Sequence, residues 1–168
     1  MSETAASREI LAPYCAEPWG VDLGFGGDPV VPHAITFDMP RPYTSVGGAR
    51  QILRGDCRDL SMFCDGALDW VYSAHLVEDH YYSELHVILR EWRRVIRPGG
   101  LLVTNAPDQQ QFKAYIAEHN QGDNLAHREQ DFSLDNFRRC LDTCGPWEEV
   151  YAMPDDGRYS WYLVVRKV

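Results

Sequence analysis

The chain has 168 residues, 45% of them hydrophobic and 24% charged, a composition that suits one globular unit with a continuous core needing no staples. Its formal net charge is −9, with acids spread along the chain and no Lys/Arg-rich block. A polyanion would be repelled at long range, which disfavours nucleic acid as a partner. No apolar run approaches the ~20 residues needed to span a membrane, and the opening MSETAASREI has no basic-then-apolar leader pattern.

Residues 1–13 read as a loosely held N-terminal arm with at most a short helix. Strands are expected at 19–23 and 34–37, and a polar stretch at 40–48 leads to a third strand at 51–54. The segment ALDWVYS at 67–73 has the apolar and aromatic content of a fourth. The clearest helix follows. Tyr81, Leu85, Ile88, Leu89, Trp92, Val95 and Ile96 recur at three- and four-residue steps, giving one apolar face. Arg90, Arg93, Arg94 and Arg97 crowd its C-terminal half, where positive charge suits the helix dipole. Pro98-Gly99-Gly100 is expected to stop it, and residues 101–104 read as a buried fifth strand.

Asp108 and Ser133 are each placed to cap a helix, the first carrying Phe112, Tyr115 and Ile116, the second Leu134, Phe137, Leu141 and Cys144. The polar residues 119–132 between them read as a loop. Two last strands, near 148–153 and 160–166, flank the turn Pro154-Asp155-Asp156-Gly157, which implies an antiparallel hairpin. The expected architecture is α/β, with a mostly parallel seven-stranded sheet ending in that hairpin. Five cysteines without C-x-x-C spacing point to a reducing, cytoplasmic setting. Cys140 and Cys144, one helical turn apart, read as small buried thiols, and no metal site is expected.

The chemistry begins at Gly24-Phe25-Gly26-Gly27-Asp28-Pro29, directly after the first strand. A dinucleotide fingerprint would place a third glycine where Pro29 stands. Its acidic partner lies ~20 residues on, yet Asp38 comes twelve positions after Gly26. No Gly-Lys-Ser/Thr follows either, which excludes a phosphate-binding loop of that kind. What remains is a supple turn beside a carboxylate, suited to ribose hydroxyls without phosphates. A nicotinamide-dependent oxidoreductase is disfavoured on the same grounds.

Four segments in order resemble the small "type 11" class I S-adenosylmethionine-dependent methyltransferases. Asp22, Gly24 and Gly26 match acid-x-Gly-x-Gly-x-Gly, with Asp28 in the last glycine place. Gly55-Asp56-Cys57-Arg58-Asp59-Leu60 resembles Gly-Asp-Ala-x-x-Leu. Residues 69–78, DWVYSAHLVE, resemble Asp-x-Val-x-Ser-x-His-x-Leu-Glu, and Arg97-Pro98-Gly99-Gly100 matches Lys/Arg-Pro-Gly-Gly. The similarity runs from about Trp19 to Thr104.

The resemblance implies a Rossmann-like fold and S-adenosylmethionine as cofactor. It places Asp22, Gly24, Phe25 and Gly26 under the methionine portion, and Asp38 with Met39 at the ribose. Asp56 and Cys57 fall at the adenine, with Ser73 and Ala74 at the end of the fourth strand. The first crossover helices are expected to be shortened or absent. That would leave one sheet face thinly covered, to be shielded by the N-terminal arm or by a second copy of the chain.

Methyl transfer is an in-line displacement that needs alignment and exclusion of water, not a nucleophilic side chain. A base helps where the acceptor is a hydroxyl. His75, at the end of the fourth strand, is the best-placed catalytic residue, although a structural histidine at a helix start is an equal reading. Glu78 and Asp79 are explained by the helix dipole alone. The expected acceptor is a small polar or sugar-like molecule, over which residues 119–132 could close. The alternative is a non-catalytic cofactor-binding or scaffold module of the same fold.

Overall fold

A computed structural model describes residues 2–42 and 46–168, so the centre of the polar stretch at 40–48 lies outside the described residues. Seven strands form one sheet in the order β3-β2-β1-β4-β5-β7-β6. They are β1 (Gly20–Leu23), β2 (Ile35–Asp38), β3 (Leu53–Arg54), β4 (Leu68–Ala74), β5 (Ile96–Pro107), β6 (Trp147–Met153) and β7 (Ser160–Lys167). β1 pairs in parallel with both β2 and β4, β2 with β3 and β4 with β5 in parallel. β7 runs antiparallel to β5 and to β6. The chain leaves β1 toward β2 and returns on its other side as β4, so the strand order reverses there, at the edge where open α/β sheets gather ligands.

Side chains alternate across the sheet and sort the core into two layers. Val71, Leu102, Leu163 and Val165 pack on one face with Leu85, Ile88, Leu89 and Trp92 of helix α2 (Tyr82–Val95) and with Phe137 and Leu141 of helix α4 (Leu134–Asp142). Ser133 caps α4 by accepting from Asn136 N–H, as its position suggested. Likewise Asp108 accepts from Gln110 and Gln111 N–H at the start of α3 (Gln109–Glu118). The long helix ends at Val95, and Ile96, its C-cap in extended geometry, already opens β5 just before Arg97-Pro98-Gly99-Gly100. That segment is not a plain stop but an irregularity inside β5. Ile96 pairs with Leu68, and the ladder resumes at Leu101 with Trp70.

The opposite face carries Trp70, Tyr72, Val103, Tyr162 and Val164, and here the expectation of a loose arm is corrected. Residues 3–11 form helix α1 (Glu3–Leu11), capped by the Ser2 side chain, which accepts from Ala5 N–H. A 3₁₀ turn, Ala12–Cys15, follows. Leu11 and Cys15 are fully buried with Val30, Val31 and Ala34 from the loop after β1. Ser7 Oγ lies 3.1 Å from Tyr72 Oη, linking helix to sheet. The first crossover helix is absent, and α1 with residues 28–34 covers the face that it would have covered.

Asp28, standing where the family pattern has glycine, explains how this cover is held. Its carboxylate takes Arg8 of α1 at 2.5 Å and also accepts from the Ser2 hydroxyl, while Arg8 donates to Pro29 O. The carboxylate therefore faces α1 and not a cofactor. Among the described residues, no helix is long and apolar enough to cross a membrane.

Candidate functional site

Two clefts open along the C-terminal ends of β1, β2 and β4. The larger, about 600 Å³, is bordered by Gly24, Asp38, Met39, Asp56, Cys57 and His75. The smaller, about 300 Å³, is bordered by Gly24, Phe25, Gly26, Ala74 and His75, together with Glu3, Glu78, His127 and Tyr159. Gly24 and His75 border both. The sequence-assigned residues are thus brought together, except that Asp22 and Ser73 border neither cleft and are fully buried.

The turn after β1 is built on backbone that side-chain-bearing residues rarely adopt. Gly24, Gly26 and Gly27 have φ of +67°, +58° and +85°. A Cβ on Gly24 would meet Leu76 at 3.2 Å, so the bare main chain forms part of the cleft wall. Gly24 N–H donates to Phe37 O, tying the turn to β2. The carbonyls of Gly26 and Gly27 accept from Val46, Gly47 and Ala49 N–H. That returning strand of chain lies so close that a Cβ on Gly47 would sit 1.9 Å from Gly27 O.

Asp38 ends β2 with its carboxylate braced by Gly26 N–H at 3.3 Å and Met39 N–H at 2.7 Å. Each oxygen keeps a free lone pair for a hydroxyl donor. Burial raises its pKa, against the lowering effect of those two donors. Asp56 borders the same cleft, but its carboxylate is engaged by the Arg58 guanidinium at 2.5 Å and by Arg58 N–H at 2.9 Å, and hydrogen bonding by Arg58 lowers its pKa. A base amino group would share Asp56 with Arg58. Cys57 is positioned through its carbonyl, which accepts from the buried Trp92 indole N–H at 2.8 Å.

Asp22 acts from below the cleft. Its Oδ2 accepts from Val30 N–H at 2.7 Å, fixing the loop that replaces the missing helix, and Oδ1 has no partner among the described residues. Desolvation pushes its pKa up from 3.8 to about 8. A carboxyl raised in this way contributes stability at low pH that is lost as pH climbs through the folded value. Asp22→Asn keeps an acceptor for Val30 and removes the proton. Urea unfolding between about pH 4 and 8 should therefore show a shallower loss of stability with rising pH for the variant than for the parent chain.

His75 follows β4 in left-handed backbone geometry, φ +48°, uncommon for a residue other than glycine and a pointer to function. Its Nε2 lies 3.0 Å from Ser160 Oγ and 3.6 Å from Glu3 Oε2, and its Nδ1 lies 3.5 Å from Glu78 Oε1. Burial lowers its pKa below the ordinary 6.5, with Glu3 opposing, so the ring is neutral at pH 7. Glu78 does not lie at the exposed start of α2. It belongs to a 3₁₀ turn, Val77–Asp79, and is 1% exposed, and burial pushes its carboxyl pKa well up.

Sequence reasoning weighed Glu78 and set it aside as a helix-dipole residue, and it passed over Glu3, Tyr159 and Ser160. The signals for Glu78 were its three-residue step from His75 and its place at the end of the motif at 69–78. The loop at 119–132 packs over this corner, with Arg128 N–H donating to Glu78 O. His127 Nδ1 lies 2.7 Å from Gln109 Oε1.

Comparison with known proteins follows from this geometry. Residues 6–104 match the family described as "Methyltransferase domain". The fold is similar to the PH0226 protein from Pyrococcus horikoshii OT3, with a TM-score of 0.70 at 16% identity, covering 98% of this chain and 89% of that one. It is also similar to a SAM-dependent methyltransferase from Archaeoglobus fulgidus, with a TM-score of 0.72 at 13% identity over 98% and 92% of the two chains. A SAM-dependent methyltransferase from Methanosarcina mazei gives 0.64 at 14% identity over 95% and 97%. No curated protein matches the sequence. The chain belongs to the methyltransferase domain family and has the mostly parallel, Rossmann-like sheet of the class I S-adenosylmethionine-dependent enzymes.

Proposed function

We propose that this chain binds S-adenosylmethionine in the larger cleft and transfers its methyl group to a hydroxyl or amine of a small polar or sugar-like acceptor entering the smaller one. The observation that carries this is the meeting of the two clefts at Gly24 and His75, which sets a second cavity directly beside the one assigned to the cofactor. A second cavity there favours turnover over a module that only binds cofactor.

The residues present fit the adenosyl group. The larger cleft falls within the ~300–1,000 Å³ of small-ligand sites, a braced carboxylate stands at its ribose end in Asp38, and a side chain at Gly24 would crowd Leu76. When bound, the cofactor supplies an electrophilic methyl carbon on a sulfonium. The chain holds the adenosyl group with Asp38, the Gly24 turn and the segment at Asp56 and Cys57. In the resting site His75 Nε2 meets Ser160 Oγ at 3.0 Å; the acceptor's hydroxyl or amine takes that place, and Nε2 accepts its proton. Residues 124–128 close the rim of both clefts.

Calorimetric titration with S-adenosylmethionine, S-adenosylhomocysteine and NAD tests the assignment. Both adenosyl ligands should saturate, and Asp38→Ala should weaken them roughly 10- to 100-fold, the worth of a charged hydrogen-bond acceptor. Binding of NAD alone would refute it. Firm adenosyl binding with no labelled-methyl product from any acceptor class would favour the non-catalytic module.

A further inference from the structure

We propose that Glu78, Asp79 and His127 form a binding site for a first-row divalent cation of the Zn²⁺ type beside His75. This goes beyond the methyl-transfer reading and does not rest on it. One ligand atom from each of the three residues lies within 4.8 Å of the other two. Glu78 and His127 border the smaller cleft and Asp79 the larger, so the cluster sits at the partition between them with an entry path from either side.

Three observations point to a cation and not to a self-contained hydrogen-bond network. First, Glu78 is 1% exposed and its Oε2 has no hydrogen-bond partner among the described residues. Protonating the carboxyl at Oε1 turns that oxygen toward an imidazole lone pair but leaves Oε2 without a partner among the described residues. Its other oxygen faces two imidazole nitrogens at long range, His75 Nδ1 at 3.5 Å and His127 Nε2 at 3.9 Å. A buried carboxylate so weakly matched is destabilising unless a cation compensates it.

Second, the His127 ring is prepared as a ligand. Gln109 Oε1, 2.7 Å away, can only accept, so Nδ1 carries the proton and Nε2 presents its lone pair to Glu78. Metal-binding histidines are oriented by this same donation from the far nitrogen. Gln109 is itself buried and follows directly on Asp108, the cap of α3, so the ring is held by a rigid helix end. Phe112 packs against it at a tilt of 51°, with centroids 4.7 Å apart.

Third, the spacing is that of ligands around an ion. With metal–ligand bonds of about 2.0–2.1 Å, two donors on a tetrahedral centre lie roughly 3.3 Å apart. The 3.9 Å between His127 Nε2 and Glu78 Oε1 is too long for a hydrogen bond and closes to that value with about half an ångström of movement. Imidazole with carboxylates selects Zn²⁺, Mn²⁺ or Fe²⁺ over Mg²⁺ and Ca²⁺, which prefer all-oxygen sites.

The test is titration of the chelator-stripped full chain with Zn²⁺ by calorimetry, and with Co²⁺ by visible absorption, Mg²⁺ serving as comparison. One equivalent of Zn²⁺ should bind and Co²⁺ should develop d–d bands, with no response to Mg²⁺. Glu78→Gln and His127→Ala should each abolish both signals. Gln109→Leu, which touches no metal, should weaken Zn²⁺ about 10- to 100-fold. Circular dichroism and cooperative urea unfolding identify variants that keep their fold, and these alone are scored. No Zn²⁺ binding by the parent chain overturns the proposal, and so does unchanged Zn²⁺ affinity in a folded Glu78→Gln or His127→Ala. Loss of adenosyl binding with Zn²⁺ binding retained would sink the methyltransferase reading and leave the cation site standing.

Discussion

His75→Asn should lower methyl transfer by about 10²- to 10⁴-fold, the range contributed by a positioned base, while adenosyl-ligand affinity stays nearly unchanged. Asparagine is the informative replacement because it tolerates left-handed backbone, so the φ of +48° at this position is kept and only the proton acceptor is lost. The pH profile supplies a second readout. His75 is a base only when neutral, and burial lowers its folded pKa below 6.5. In the parent enzyme kcat/KM should therefore rise through a value under 6.5 and level off by neutrality, and that acidic limb should vanish in the variant. The same burial has a stability consequence of definite sign. The unfolded chain binds the His75 proton more readily than the folded one, so stability falls as pH drops below 6.5 toward the folded value. Unchanged turnover combined with a lower unfolding midpoint would make His75 a structural residue at the end of β4, the other role its sequence position allowed.

The elements of the sheet were legible because each carries its own local signal. Trp70-Val71-Tyr72 and Leu101-Leu102-Val103 are apolar on both faces, and both faces are covered. Leu85, Ile88, Leu89 and Trp92 mark one helical stripe, and that stripe is buried. The glycines at 24 and 26 were legible as backbone permission, and both have positive φ. A short helix in the N-terminal arm was expected, but its firm docking as α1 was hidden for a physical reason. Its buried face is Thr4, Ser7 and Leu11, two small polar residues and one apolar, so no apolar period announces it. Thr4 and Ser7 suit a close approach to the sheet, where Tyr72 Oη meets Ser7 Oγ, but only the fold brings that hydroxyl there. Glu78 was misread for a related reason. A glutamate just ahead of a helix is ordinarily solvated, and what buries this one is a loop some fifty residues later, docked through Arg128 N–H on Glu78 O. Asp22 was assigned to the cofactor from its motif place, yet its carboxylate turns back to Val30 N–H. A motif fixes where the backbone goes more firmly than which way a side chain points.

Leu11→Ala should cost about 2–5 kcal/mol of stability, the range for emptying a fully packed leucine site, a large share of the ~5–15 kcal/mol that holds a domain together. Leu11 is 0% exposed and packs in the layer that contains Val30, Val31, Trp70 and Tyr72, where a crossover helix would otherwise lie. Nothing local to α1 would make so small a helix matter, since nine residues are too few to hold helical structure unaided. The effect comes from the sheet face that the helix covers. Urea unfolding measures the loss, and its dependence on protein concentration separates the two ways in which this face could be shielded. If α1 covers it, the midpoint is the same at every concentration. If a second copy of the chain were needed, the midpoint would rise with concentration by mass action. A loss below about 1 kcal/mol would count against α1 as the cover. Adenosyl-ligand affinity should weaken too, though less. Leu11 touches neither cleft, but α1 anchors Asp28 through Arg8, and Asp28 closes the turn that begins at Gly24. An acid in a glycine's place is tolerable here because it works from outside the turn, as the point where the substitute helix is fastened.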